Sequence, residues 1–175
     1  QRFDEMLEKS LLKNKVEYIY LGNIPDGFEL NNTKIIKPKK MNDVAKILRE
    51  CDGYLTASRL EPGGNHVTEA LMSGLPVLYL DNGSHHEYCD GLGVPFSLNT
   101  FDKQLKNFIK NIKVLKKRAL KYDYNSSKMA KTYESLFISL LKEKKKIKSY
   151  PQTYTKYIIS KKFKNLLLKI FRYLK

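Results

Sequence analysis

Four consecutive apolar residues, Val77–Leu80 (VLYL), follow Pro76 and end at Asp81. An unbroken apolar run between a proline and a polar turn suits a strand covered on both faces. Such burial belongs to parallel sheets with helices on either side. The segments before it keep that alternation. Phe3 to Leu12 reads as a helix with Phe3, Met6, Leu7 and Leu11 near one face, and Val16–Leu21 (VEYIYL) as a strand closing at Gly22-Asn23. A loop with the turn Pro25-Asp26-Gly27 leads to a short strand, Lys34–Lys37, stopped by Pro38. Asn42 is expected to cap a helix with Val44, Ile47, Leu48 and Cys51 at i, i+3, i+4 and i+7. Gly53–Ala57 reads as a strand, and about 65–73 as a helix with Val67, Ala70 and Leu71 inward and Gly74 as its stop. After the apolar strand, a glycine-containing loop runs to Thr100, the expected cap of a helix carrying Leu105, Phe108, Ile109, Ile112 and Leu115. A last helix, about 127–144, carries Met129, Tyr133, Leu136, Phe137, Leu140 and Leu141. Strands alternating with helices in this way give a doubly wound parallel α/β sheet. Ligands then bind at the carboxyl ends of the strands, in the loops that open helices.

At 175 residues with 42% apolar and 29% charged side chains, the chain can bury a core without disulfides or metals. No window is apolar for long enough to form a transmembrane helix. The chain opens at Gln1 with no basic-then-apolar leader, which reads as an N-terminally truncated domain without a secretory signal. Cys51 and Cys89 are expected to be free thiols, Cys51 buried on its helix, in a reducing compartment. The net charge of +15 is unevenly spread: residues 142–175 hold 12 Lys/Arg and one acid. The basicity therefore belongs to a tail, and two domains are expected, 1–145 and 146–175. Within the tail Phe163, Leu166, Leu167, Ile170, Phe171 and Leu174 recur at helical spacing among Lys161, Lys162, Lys164, Lys169, Arg172 and Lys175. A basic amphipathic helix over 156–175 reads as a binder of an anionic membrane surface. Packing on another domain is the competing reading. No nucleic-acid partner is expected, since no reading motif accompanies the charge.

The chemistry concentrates in the loop after the strand 53–57, Ser58-Arg59-Leu60-Glu61-Pro62-Gly63-Gly64-Asn65-His66-Val67-Thr68-Glu69. A Gly-Gly turn lets backbone approach a ligand closely, and the amides of a first helical turn favour phosphate oxygens. Glu61 and Glu69 bracket that turn. Carboxylates accept paired hydrogen bonds from vicinal hydroxyls, so the pattern suits a nucleotide sugar. Two surface carboxylates near a helix start would look the same.

The wider stretch, EPGGNHVTEALMSGLPVLYLDNGSHHE, resembles the donor-site signature of the large retaining glycosyltransferase family with the GT-B fold, group 1 type. That motif runs roughly E-P-F-G-x-x-x-x-E-A-M-A-x-G-x-P-V-V-x-x-x-x-G-G-x-x-E. The resemblance extends over about residues 16–141 and implies a Rossmann-like fold, the C-terminal, donor-binding domain of such an enzyme. By resemblance, Glu69 holds the ribose hydroxyls, and Glu61, the catalytic-site candidate, binds hydroxyls of the transferred sugar without being a nucleophile. Gly63, Gly64, Asn65 and His66 lie along the sugar and pyrophosphate, and Lys37-Pro38 along the base. Gly83 and Glu87 match the later glycine-glutamate region. Gly63 departs from the family's Phe, which implies a looser loop or a different sugar. The family's basic pyrophosphate-binding pair has no counterpart that can be placed, and the N-terminal acceptor domain is expected to be missing. No metal or other cofactor is expected, the donor sugar being the substrate.

Other residues carry weaker signals. His85-His86 lacks a third ligand partner and reads as a solvated loop pair. His66 could touch donor or phosphate, or simply cap or pack. Asp81 is a turn former or a site residue. The reading that follows is a transferase moving a hexose-type sugar to a glycan or lipid-linked acceptor in polysaccharide or lipopolysaccharide-type biosynthesis. It would work in the cytoplasm, peripheral to the inner face of the membrane. A sugar-nucleotide epimerase of the same fold, or a non-catalytic membrane- or partner-binding module, are the alternatives.

Overall fold

The run Val77–Leu80 forms a strand in which all four residues are buried, and the rest of the fold is arranged around it. The structure, a computed structural model, describes residues 3–144 except 25, 28 and 29. The elements in order are α1 (Phe3–Lys13), β1 (Ile19–Leu21), β2 (Lys34–Ile36), α2 (Met41–Glu50), β3 (Tyr54–Thr56) and α3 (Asn65–Met72). They continue with β4 (Val77–Leu80), α4 (His85–Cys89), β5 (Gly93–Phe96), α5 (Phe101–Ala119) and α6 (Ser126–Lys144). Every strand pair is parallel: β1 with β2 in one sheet, and β3, β4, β5 side by side in another. This is a mixed α/β, Rossmann-like architecture with parallel strands flanked by helices.

Alternation along β4 decides which helix goes where. Leu78 and Leu80 join Val94 and Phe96 of β5 against Leu7 and Leu11 of α1 and Phe101, Leu105, Phe108 and Leu115 of α5. Val77 and Tyr79 point the other way, onto Val67 and Leu71 of α3 and Cys89 of α4. β3 repeats the split, with Leu55 on the first side and Tyr54 on the second. Polar ties fix the outer pieces. Glu8 of α1 is buried and accepts from the Asn32 amide at 2.9 Å and the Thr33 hydroxyl at 3.1 Å, which anchors the approach to β2. Lys116 of α5 donates to the Cys51 carbonyl at 3.1 Å and to Asp52, holding the exit of α2.

Several boundaries differ from the sequence-based expectation. β1 is three residues long and begins at Ile19; Val16 and Tyr18 before it pack against the α1/α5 core, and the Tyr18 carbonyl accepts from the Lys34 amide at 3.0 Å. α2 starts at Met41 with Lys40 as its N-cap and no side-chain cap, so Asn42 lies inside the first turn. Cys51 is the C-cap of α2 and only half-buried. α4 and β5 were expected as loop. Pro95 sits in β5 opposite Tyr79, and its missing N–H is tolerated because β5 is an edge strand. Thr100 precedes α5 as expected, but its hydroxyl serves a capping box with Ser97 on the short turn before it.

The described residues fall into two units, 3–124 and 125–144. In the second, α6 exposes Met129, Tyr133, Leu136, Phe137, Leu140 and Leu141. Among the described residues no helix is long and apolar enough to cross a membrane. The expected basic helix over 156–175 lies outside the described residues.

Leu78 is 2% exposed at the centre of the α1/α5 core. Leu78→Ala should lower unfolding free energy by about 2–5 kcal/mol, read from the midpoint shift in urea denaturation. An unchanged midpoint would mean β4 is not the covered strand.

Candidate functional site

The carboxyl ends of β3 and β4 deliver two loops, 57–64 and 81–84, that lock against each other. Ser84 donates to the Glu61 carbonyl twice, from its amide at 3.0 Å and its hydroxyl at 2.8 Å. Asn82 Oδ1 accepts from the Leu60 amide at 2.6 Å, which stabilises Leu60 in a left-handed conformation at φ 52°. Gly83 sits at φ 62°, and a Cβ there would come within 2.7 Å of both the Glu61 nitrogen and oxygen. Only glycine permits this approach. The Glu61 backbone is therefore clamped by the second loop, while its side chain runs toward Gly64.

Gly64 is the N-cap of α3 and is buried. A Cβ on Gly64 would lie 3.1 Å from Glu61 Cγ and 2.7 Å from His66 Cε1, so both side chains meet at this glycine. Gly64 supplies no capping side chain, and its carbonyl accepts from the Val67 and Thr68 amides. The amides of Asn65 and His66, first in the helix, have no intrahelical acceptor and face outward from the turn. Asn65 itself is exposed, and its carbonyl accepts from the Thr68 hydroxyl at 2.8 Å.

His66 is the hub of the cluster. Its Nε2 lies 3.2 Å from Thr56 Oγ1 at the end of β3. Its ring sits 6.0 Å from that of Tyr54 and edge-on to His85 at 6.3 Å. Burial pushes its pKa below the ordinary histidine value; Glu61 opposes the shift, His85 adds to it and Glu69 opposes it. Glu61 and Glu69 therefore both act on one imidazole, whose neutral form burial favours.

Glu69, one turn further along α3, is exposed and borders a groove of about 490 Å³ between α2 and α3. Met41, Val44 and Leu48 of α2 and Met72 of α3 form its apolar wall, with Lys39 and Arg49 as its cations. This explains why α2, so clearly amphipathic, has no fully buried residue: its apolar face borders open space. The volume falls in the range of small-molecule sites.

The structure thus brings together Glu61, Gly64, His66 and Glu69 of the expected site residues, with Gly83 as the wedge behind them. Lys37 and Pro38 leave β2 exposed, and the groove is lined by Lys39, two residues on. Glu87 is exposed on α4, its amide donating to the Ser84 carbonyl at 3.1 Å. Gly63 is exposed, and Tyr88 Oη stands 3.4 Å from where its Cβ would be. The histidine pair is corrected by half. His86 is exposed, whereas His85 is completely buried, donating from Nδ1 to the Leu80 carbonyl at 3.1 Å. Thr56, Asn82 and Ser84 escaped the sequence reading, since a hydroxyl or amide that organises a loop carries no spacing signal. Among the described residues no group of acidic, cysteine and histidine side chains could hold a metal. Cys89 is buried, which pushes its thiol up to about 12.

Comparison with known proteins supports one assignment. Residues 26–92, from the turn before β2 to the turn before β5, match the family model described as glycosyl transferases group 1. No curated protein matches the chain at a significant level. The match supports glycosyl transfer in general.

Two measurements follow from this geometry. Gly83→Ala should cost at least about 1 kcal/mol for the left-handed backbone alone, with the collision at Glu61 added; thermal unfolding reads the loss, and faster amide exchange at Ser84 would locate it. In a 1H–15N titration His66 should titrate below the usual 6.5, and Glu61→Gln should lower it further by removing a charge that favours the imidazolium. A rise on Glu61→Gln would contradict the placement.

Proposed function

We propose that this chain is the donor-binding part of a retaining, GT-B-type glycosyltransferase of the E-x7-E kind. It would transfer a hexose-type sugar from a nucleotide-diphosphate sugar to a glycan or lipid-linked acceptor. The observation that supports the reading is that Glu61 lies in the loop before α3 and Glu69 one turn into it, with an apolar groove beside Glu69.

Each part has a chemical task. The groove offers methionine and aliphatic surface to a flat base, and the Glu69 carboxylate at its rim is suited to vicinal ribose hydroxyls. The unfilled amides of Asn65 and His66 face the diphosphate, where the helix end favours negative charge. Lys39 and Arg49 line the same groove and add positive charge. Glu61, clamped through its backbone, offers its carboxylate to hydroxyls of the transferred sugar. As the bond to the sugar breaks, charge builds on the leaving diphosphate, and fixed amide dipoles that need no reorganisation lower the barrier. The acceptor hydroxyl attacks from the leaving-group face. No metal ligand set takes part in this reading, and Glu61 binds rather than attacks. Work at the inner face of the cytoplasmic membrane, through residues 156–175 and with an acceptor-binding domain as partner, completes the proposal.

Calorimetric titration of the chain with UDP, GDP and ADP, without added metal, tests it. One nucleotide should bind, and Glu69→Ala should weaken it about tenfold, or about 1.4 kcal/mol. Equal affinity in Glu69→Ala, or no binding of any of the three, would sink the reading.

A further inference from the structure

The hydrogen bonds around Thr56 assign the proton on His66. Thr56 Oγ1 accepts from the Ser58 amide at 3.3 Å and gives its own proton to Ser58 Oγ at 3.3 Å. With that proton on Ser58, a lone pair is left for His66, which then donates from Nε2 across the 3.2 Å contact. A neutral imidazole carries one N–H, so Nδ1 is a bare acceptor. Among the described residues Nδ1 has no hydrogen-bond partner.

That acceptor lies in a telling place. A Cβ on Gly64 would stand 3.1 Å from Nδ1 and 3.1 Å from Glu61 Cγ. The Nδ1 of His66 and the side chain of Glu61 therefore lie beside the same glycine. Behind them His85 repeats the pattern. Its Nδ1 is within 3.1 Å of the Leu80 carbonyl, which can only accept, and its buried Nε2 has no partner among the described residues. His66 Nδ1 and the Glu61 carboxylate are thus side-chain acceptors at one glycine, a pairing that suits hydroxyl groups.

We propose that His66 is a specificity-determining residue whose Nδ1 accepts a hydrogen bond from a hydroxyl of the transferred sugar, beside the Glu61 carboxylate. The proposal rests on the nucleotide-sugar reading above and adds a side chain to it. Protonation would turn Nδ1 from acceptor to donor, so this contact is lost in acid. The groups that face the ring are Tyr54 from β3, Glu61 from the loop, Glu69 from α3 itself and His85 from α4.

The test compares UDP, ADP and GDP with UDP-glucose, ADP-glucose and GDP-mannose by calorimetry. The wild-type chain should bind one sugar conjugate more tightly than its bare diphosphate. His66→Phe, which keeps a ring and the backbone amide but no acceptor, should lose roughly five- to tenfold of conjugate affinity, about one hydrogen bond, beyond any change in diphosphate affinity. His66→Asn, whose carboxamide oxygen falls near the Nδ1 position, should retain most of it. The wild-type increment should also fade as pH drops through the His66 titration. Equal increments in wild type and His66→Phe, or parallel loss of both ligands in both variants, would overturn the role of His66 and leave the nucleotide reading standing. No diphosphate binding by the wild type would overturn that reading, and the sugar contact with it. Independently of any ligand, 15N shifts showing the His66 proton on Nδ1 at pH 7.5 would refute the assignment, and a proton on Nε2 would support it.

Discussion

The two-sided burial of β4 is the constraint from which the rest follows. A strand with Val77 and Tyr79 on one face and Leu78 and Leu80 on the other needs a helical layer on each side. With both layers in place, β3 and β5 can only lie at its edges, and parallel pairing sends the chain back through α3 and α4. Parallel strands gather their carboxyl ends on one side of the sheet. The loops after β3 and β4 therefore leave the sheet as neighbours, and the Glu61–Gly83 contact is the result of that topology rather than an isolated feature.

The site divides into a rigid and an open half. Around Glu61 the backbone is fixed by Ser84, Asn82 and the glycine wedge, and the His66 ring is held by Thr56. Such pre-organisation suits groups that must orient hydroxyls, because little ordering entropy remains to be lost on binding. Beside Glu69 the opposite holds. α2 has no fully buried residue and its apolar face borders the groove. Met41 is 78% exposed and Met72 52% exposed, and methionine adapts its shape to what it covers. One half is therefore built for direction and the other for accommodation.

Much of this was legible in the sequence, and the remainder was hidden for physical reasons. The apolar run predicted β4 to the residue, because two-faced burial leaves no polar position to blur the pattern. α3 was legible up to its stop at Gly74. α4 and β5 were not, because five- and four-residue elements give too few positions for a period, and Gly93 and Pro95 read as loop. The burial of His85 was hidden because it depends on the Leu80 carbonyl and on rings from β4 and α3, all fixed by tertiary packing. Lys39, which lines the groove with Glu69, was not singled out because a lysine in the loop after a short strand carries no spacing signal.

The departure at Gly63 shows how the fold handles a missing side chain. In the resembled motif an aromatic ring stands there, and in this chain the loop provides none. The space beside Gly63 is met instead by the Tyr88 hydroxyl, 3.4 Å from the position of a Cβ. Tyr88 belongs to α4, and its amide reaches the Ser84 carbonyl. Ser84 in turn holds the Glu61 carbonyl. An aromatic group is therefore delivered to the loop from the neighbouring strand's helix, through the residue that also clamps Glu61. The Tyr88 hydroxyl donates and accepts, so in this chain a polar group stands beside Gly63.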